Sequence, residues 1–227
     1  MSRPVIAAIG TLDTKGAEID YVRERIEALG GEALVIDTGI LGEPGCRADV
    51  SREEIARAAG HDLDSVRGAG SRGAAVELMQ AGVRRVVAEL YEAGRLDGAL
   101  CLGGAEGALI GAAAMQELPV GVPKLIVSPS ASGPRAFGPF MGRRDVMVMH
   151  SVIDILGLNP IARAVFDNAA AAVMGMVRDA GSPATELGAR SVGVTMLGQT
   201  TPGAMAACEV LEQAGDSNHR DPRHEGG

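Results

Sequence analysis

Residues 4–39, PVIAAIGTLDTKGAEIDYVRERIEALGGEALVIDTG, decide the fold. Residues 4–10 form a short apolar run closed by Gly10, the pattern of a strand buried on both faces. From Lys15 to Leu29 the apolar side chains change to helical spacing: Ile19, Val22, Ile26 and Leu29 share one face, and Gly30-Gly31 stops the helix. Residues 33–37 (ALVID) are a second buried strand, ending in Asp37-Thr38-Gly39. The stretch is therefore a β-α-β unit, which in a parallel sheet is right-handed. The fold class is α/β.

Further along the chain the pattern repeats. Residues 39–71 break it, with Gly42, Pro44 and Gly45, a short helix that Ser51 could cap with Glu54 as a capping box, and a Gly-rich end. We expect a mobile insertion near the site. Residues 73–94 read as a long helix with Val76, Met79, Val83, Val86 and Leu90 on one face. Residues 97–102 are a third strand, 106–117 an Ala-rich helix and 123–127 a fourth strand. A loop over 128–144 leads to a fifth strand at 145–149, then to an apolar helical stretch from 151 towards 178, interrupted at 157–160. This gives one α/β domain over residues 1–180 and a linker over 181–190. At residues 191–215 a strand and a helix restart the pattern of residues 4–30, the beginning of an incomplete second α/β half. Residues 216–227, DSNHRDPRHEGG, hold no apolar side chain and are expected to be a disordered tail with no strand.

Composition narrows the partners. The formal charge is −8, with no basic block, which gives little electrostatic reason to bind nucleic acid. With no Trp, two Tyr and three Phe, the chain lacks a stacking platform for single strands. Cys46, Cys101 and Cys208 are widely spaced and follow no metal-ligand pattern, which suits reduced thiols in the cytoplasm. The first residues carry no signal-peptide pattern, and no apolar run reaches the roughly 18 residues of a membrane span. No membrane partner is expected.

Three strand-to-helix loops carry the candidate chemistry. The first is Gly10-Thr11-Leu12-Asp13-Thr14-Lys15-Gly16, where a tight turn, bare N–H groups and the positive end of a helix favour an anion. Thr11 and Thr14 add hydroxyls and Lys15 adds a charge. It is neither a P-loop nor a GxGxxG dinucleotide fingerprint, and Asp13 or Thr14 could equally be a plain helix cap with Lys15 in solvent. Asp37, at the end of the second strand, is either a ribose-binding acid or a turn former. The second loop is Gly103-Gly104-Ala105-Glu106-Gly107, in which Glu106 could accept from a ribose, hold a metal through water, or complement a helix dipole. The third is Ser128-Pro129-Ser130-Ala131-Ser132-Gly133; it lacks the GxSxG elbow, so its hydroxyls suit ligand hydrogen bonds better than nucleophilic attack. Arg135, Arg143 and Arg144 could neutralise phosphate or lie in solvent. His150 is expected to be a packed core residue rather than an acid or base, and Asn159 a turn or helix-start residue rather than a ligand.

Four motifs in order, GTLDTKG (10–16), GGAEG (103–107), VSPSASG (127–133) and RDVMVMHSVIDILGLNPIARAVFDNAA (144–170), resemble the ATP-binding domain family of the tomato mosaic virus resistance protein. The resemblance covers about residues 4–214. It implies two Rossmann-like α/β halves with helices on both faces of a parallel sheet, and ATP, with or without Mg²⁺, held by loops of the first half. Position by position it implies a nucleotide role for Gly10, Thr11, Asp13, Thr14, Lys15, Gly103, Gly104, Ser128 and Ser132. Asp37 and Glu106 join this set from their own placement. Full-length members continue through a complete second half, whereas this chain stops soon after Gly215. The expected function is a nucleotide-binding, regulatory module with slow or no hydrolysis, working as a homo-oligomer. The alternative is a hydrolase or transferase on a phosphorylated or acyl substrate, with Asp13, Glu106 or His150 as acid or base.

Overall fold

The computed structural model describes residues 3–131, 138–179, 191–213 and 217–221. In chain order the elements of the first unit are β1 (Val5–Gly10), α1 (Leu12–Ala28), β2 (Glu32–Asp37), α2 (Arg52–Ala58), α3 (Leu63–Arg67), α4 (Arg72–Glu92), β3 (Gly98–Leu102), α5 (Ala105–Met115), β4 (Lys124–Ser128), α6 (Gly138–Met141), β5 (Met147–His150) and α7 (Pro160–Asp179). The five strands pair in parallel in the order β2-β1-β3-β4-β5. The expected Rossmann-like α/β architecture is the one observed.

Alternation along β1 shows why the sheet needs helices on both faces. Ala7 and Ile9 face a core built with α2, α3, α4 and α5. Ile6 and Ala8 face the other way, into a core with α1 and α7. All four are fully buried. Burying an aliphatic side chain of Ile size contributes about 1.5–3 kcal/mol, so neither layer is dispensable.

The helices dock where small residues let them. Gly82 of α4 lies so close to α2 that a Cβ there would meet the Ile55 carbonyl oxygen at 2.0 Å. Gly16 of α1 likewise abuts Gly45, whose Cα is 2.6 Å from the Cβ position.

Several boundaries differ from the sequence reading. Helix α1 begins at Leu12, with Thr11 as N-cap, rather than with Asp13 or Thr14 in that role. Residues 39–71 contain the expected short helix, α2, with its Ser51–Glu54 capping box formed, and in addition α3, capped by Asp62. Residues 151–159 are irregular rather than helical, and α7 starts at Pro160. Asn159 is its cap, accepting from Ile161 N and Ala162 N at 3.0 Å each. Proline at the first helical position gives up an N–H that had no partner to lose.

The second unit, from residue 184, contains β6 (Ser191–Thr195), α8 (Thr201–Gln213) and β7 (Ser217–Asp221). The strand and helix of the restarted α/β pattern are both present. The polar segment after 215 was expected to build no strand; instead Ser217–Asp221 pairs in parallel with β6. Ladder hydrogen bonds come from the backbone and do not require apolar side chains. Among the described residues no helix is long and apolar enough to cross a membrane.

Candidate functional site

The strand order reverses between β1 and β3, and ligands of open α/β sheets sit outside the carboxyl ends of the strands at such a point. A cleft of about 1040 Å³ lies there. Its walls come from the loops after β1, β2 and β3 and from the start of α4.

Two long helices begin at this cleft without a cap from their own N-cap side chains. The N-cap of α1 is Thr11 and that of α5 is Gly104, and neither makes a side-chain hydrogen bond to its helix. The first-turn N–H groups of a helix have no intrahelical partner and carry the positive end of its dipole. In α1 one of them, Leu12 N, is taken by the Asp37 carboxylate at 3.0 Å. At α5 the approach is open: a Cβ on Gly104 would meet nothing within 4 Å. Gly103 is the reverse case, because its Cβ would meet Ala108 N at 2.3 Å. The first glycine lets the helix fold back on the strand, and the second leaves its first turn exposed to the cleft. A third helix, α4, also starts here, but Ser71 caps it by accepting from Ala74 N at 3.1 Å.

Thr11, Asp13, Thr14, Lys15, Gly104 and Glu106 all line the cleft, so the first two predicted loops do meet. The Thr11 and Thr14 hydroxyls are 2.8 Å apart. Lys15 sits at a break in α1, with φ −128° and ψ 18°, and its ammonium donates to the Ile155 carbonyl. Glu18, one turn on and buried, accepts from Gly157 N at 2.6 Å. Together these two side chains tie α1 to the 151–159 segment, where Val152 adopts a φ of +67°. Glu106 pairs with Arg72 of α4 across the cleft. Asp13 Oδ2 accepts from Leu41 N and Gly42 N at 3.2 Å each, while its buried Oδ1 has no partner among the described residues.

Gly10 ends β1 and does not line the cleft; a Cβ there would run into Ile19 of α1, at 2.7 Å. Asp37 does not line the cleft either: its Oδ1 accepts from Leu12 N and from Gly39 N at 2.8 Å. Burial raises its pKa above the ordinary carboxylate value, against the pull of those two donors. Ser128 is fully buried at the end of β4 and its hydroxyl accepts from Ser130 N at 3.1 Å, away from the cleft. Ser132 and Arg135 lie outside the described residues. Arg144 donates to the Gln116 carbonyl at 2.9 Å, and His150 is exposed at the sheet edge rather than packed in the core. Among the described residues no cluster of three acidic, His or Cys side chains stands ready to hold a metal ion.

Thr38, Arg67 and Arg72 also line the cleft and were not singled out from the sequence. Arg67 donates to the Ile40 carbonyl at 2.7 Å and so holds the loop after β2. Thr38 had a readable signal, since it follows a buried strand at the ligand-binding edge. The arginines did not, because α3 and α4 reach the cleft only through tertiary packing.

Residues 4–182 match the family described as "Uncharacterised protein family (UPF0261) N-terminal domain". A UPF0261 protein of Clostridium tetani is 38% identical over 212 residues, covering 92% of this chain and 51% of the relative. One from Rhizobium meliloti is 35% identical over 208 residues, covering 91% of this chain and 50% of the relative. The ToMV susceptible protein tm-1(GCR26) of Solanum lycopersicum is 30% identical over 233 residues, covering 93% of this chain and 30% of that protein. The chain thus spans about half the length of the bacterial relatives it matches.

Proposed function

This chain belongs to the UPF0261 family, and we propose that its N-terminal α/β domain is a nucleotide-binding module that seats the phosphates of ATP at the first turns of α1 and α5. One observation carries the reading: two long helices start at the same cleft, where the strand order reverses, with no cap from their own N-cap residues, and the first turn of α5 is open to it. The cleft is at the upper end of the roughly 300–1,000 Å³ usual for small-molecule sites, room enough for a nucleoside triphosphate. Thr11 and Thr14 supply hydroxyls, and Arg72 supplies positive charge beside Glu106. A Mg²⁺ accompanying the nucleotide would find a protein oxygen in Glu106. Lys15 is engaged with Ile155 and serves here as a tether rather than as a phosphate ligand.

The reading is of binding with slow or no hydrolysis, because no hydroxyl or thiol nucleophile lining the cleft is hydrogen-bonded to a basic side chain among the described residues. The unpartnered Asp13 Oδ1 supports one enzymatic alternative, an acid or base acting on a bound phosphorylated substrate. Phosphate release lost in Asp13→Asn would favour it. Three unbridged cysteines suit a reducing compartment, and we place the protein in the cytoplasm.

The test is a thermal-shift titration with ATP and ADP, with and without Mg²⁺. A ligand at 100 times its dissociation constant adds about 2.7 kcal/mol. For a unit of this size that corresponds to roughly 5–11 °C in Tm. Gly104→Val should leave the unliganded Tm in place, since its side chain meets open space, and abolish the shift by covering the α5 N–H groups. No shift with any nucleotide refutes the proposal.

A further inference from the structure

We propose that Thr38 and Asp13 form a hydroxyl-reading subsite beside the phosphate site, so that the ligand carries a ribose-type diol. The inference rests on the ATP reading above and adds to it which residues recognise the sugar.

Thr38 is fully buried. Its backbone N donates to the Gly10 carbonyl at 2.9 Å, which fixes the residue, yet its Oγ1 has no hydrogen-bond partner among the described residues. It lines the cleft. Buried hydroxyls are nearly always hydrogen-bonded, and the exceptions call for an explanation. Asp13 lines the same cleft and is half-satisfied in the same way, with Oδ2 held by two N–H groups and Oδ1 buried and unpartnered. The two lie at one turn, for Asp13 Oδ1 is 3.0 Å from the place a Cβ would take on Gly39, next in the chain to Thr38. A side chain there would crowd the carboxylate.

The chemistry of the pair selects its ligand. A carboxylate only accepts, whereas a threonine hydroxyl both donates and accepts. A phosphate oxygen brought to Asp13 would be repelled. A ligand hydroxyl can donate to Asp13 Oδ1 and accept from Thr38, and a neighbouring hydroxyl of the same sugar can use the remaining capacity. Asp37 ends β2, where a ribose-binding acid is expected, but its Oδ1 already accepts from two backbone N–H groups. The next residue and the acid of the β1 loop take over the role.

The experiment is calorimetric titration of the full chain with ATP, 2′-deoxy-ATP, 3′-deoxy-ATP and inorganic tripolyphosphate, all with Mg²⁺. It is run on the wild type, Thr38→Val, Thr38→Ser and Asp13→Asn. We expect ATP to bind at least about tenfold tighter than the weaker deoxy analogue, since a site built to pair a hydroxyl rejects ligands that lack it. Thr38→Val should melt no lower than the wild type and lose that preference, with tripolyphosphate affinity unchanged. Thr38→Ser should keep the preference, and Asp13→Asn should reduce it. Equal binding of ATP and both deoxy analogues overturns this inference and leaves the phosphate reading standing. Equal weakening of all four ligands by Thr38→Val assigns Thr38 a structural role and also overturns it. Binding of none of the four by the wild type brings down the phosphate reading and this inference with it.

Discussion

At the scale of single residues, Asp37 shows how a buried charge can be kept for architecture. Its carboxylate takes the first N–H of α1 and the N–H of Gly39, and burial raises its pKa above 3.8. Because the folded-state value exceeds the unfolded one, the ionised group costs stability at neutral pH. That cost disappears as pH falls through the folded-state value towards 3.8. Asp37→Asn keeps an oxygen for both donors, so Tm measured from pH 7 down to 4 should fall more steeply in the variant than in the wild type. Parallel profiles would mean that Asp37 does not titrate in this window. The sequence placed Asp37 correctly at a strand end but could not tell ligand contact from helix anchoring, because both need an acid at the same position. Thr38 was within reach of the same reading. Its significance lies in a missing hydrogen-bond partner, which a sequence cannot display.

At the scale of elements, the glycine pair between β3 and α5 divides two tasks. A Cβ on Gly103 would penetrate the backbone of α5 at Ala108 N, and backbone cannot swing aside as a side-chain tip can. Gly103→Ala should therefore lower stability by about 1–3 kcal/mol, read as a lower midpoint of denaturant unfolding, in the absence of any ligand. Gly104→Ala, with open space around it, should leave that midpoint nearly unchanged. The sequence marked both glycines as one phosphate turn and did not separate packing from access. Periodicity located β1 to β5, α4 and α5 well, because the apolar spacing there is unbroken. It misplaced the start of α1, since Thr11, Asp13 and Thr14 are all residues that cap helices. It also carried α7 too far back, although Asn159-Pro160 was the stronger start signal.

At the scale of the whole molecule, both hydrophobic clusters lie entirely within residues 1–183. A chain cut after Pro183 should melt within a few degrees of the intact protein and retain any nucleotide-induced shift; a large loss of Tm would mean that the rest of the chain stabilises the first unit. That a five-stranded parallel sheet would form was readable from the repeated strand-helix pattern. Which strands become neighbours was not, since the order depends on packing between distant segments. That order has a consequence for synthesis. β1 is made first but is flanked by β2 and β3, and its pairing with β3 runs to Ile9 with Cys101. At translation rates of about 5–20 residues per second, the ribosome needs roughly 5–20 s to supply that partner. Throughout that interval the nascent chain holds an interior strand with one edge open, and a holding chaperone would have its clearest target there.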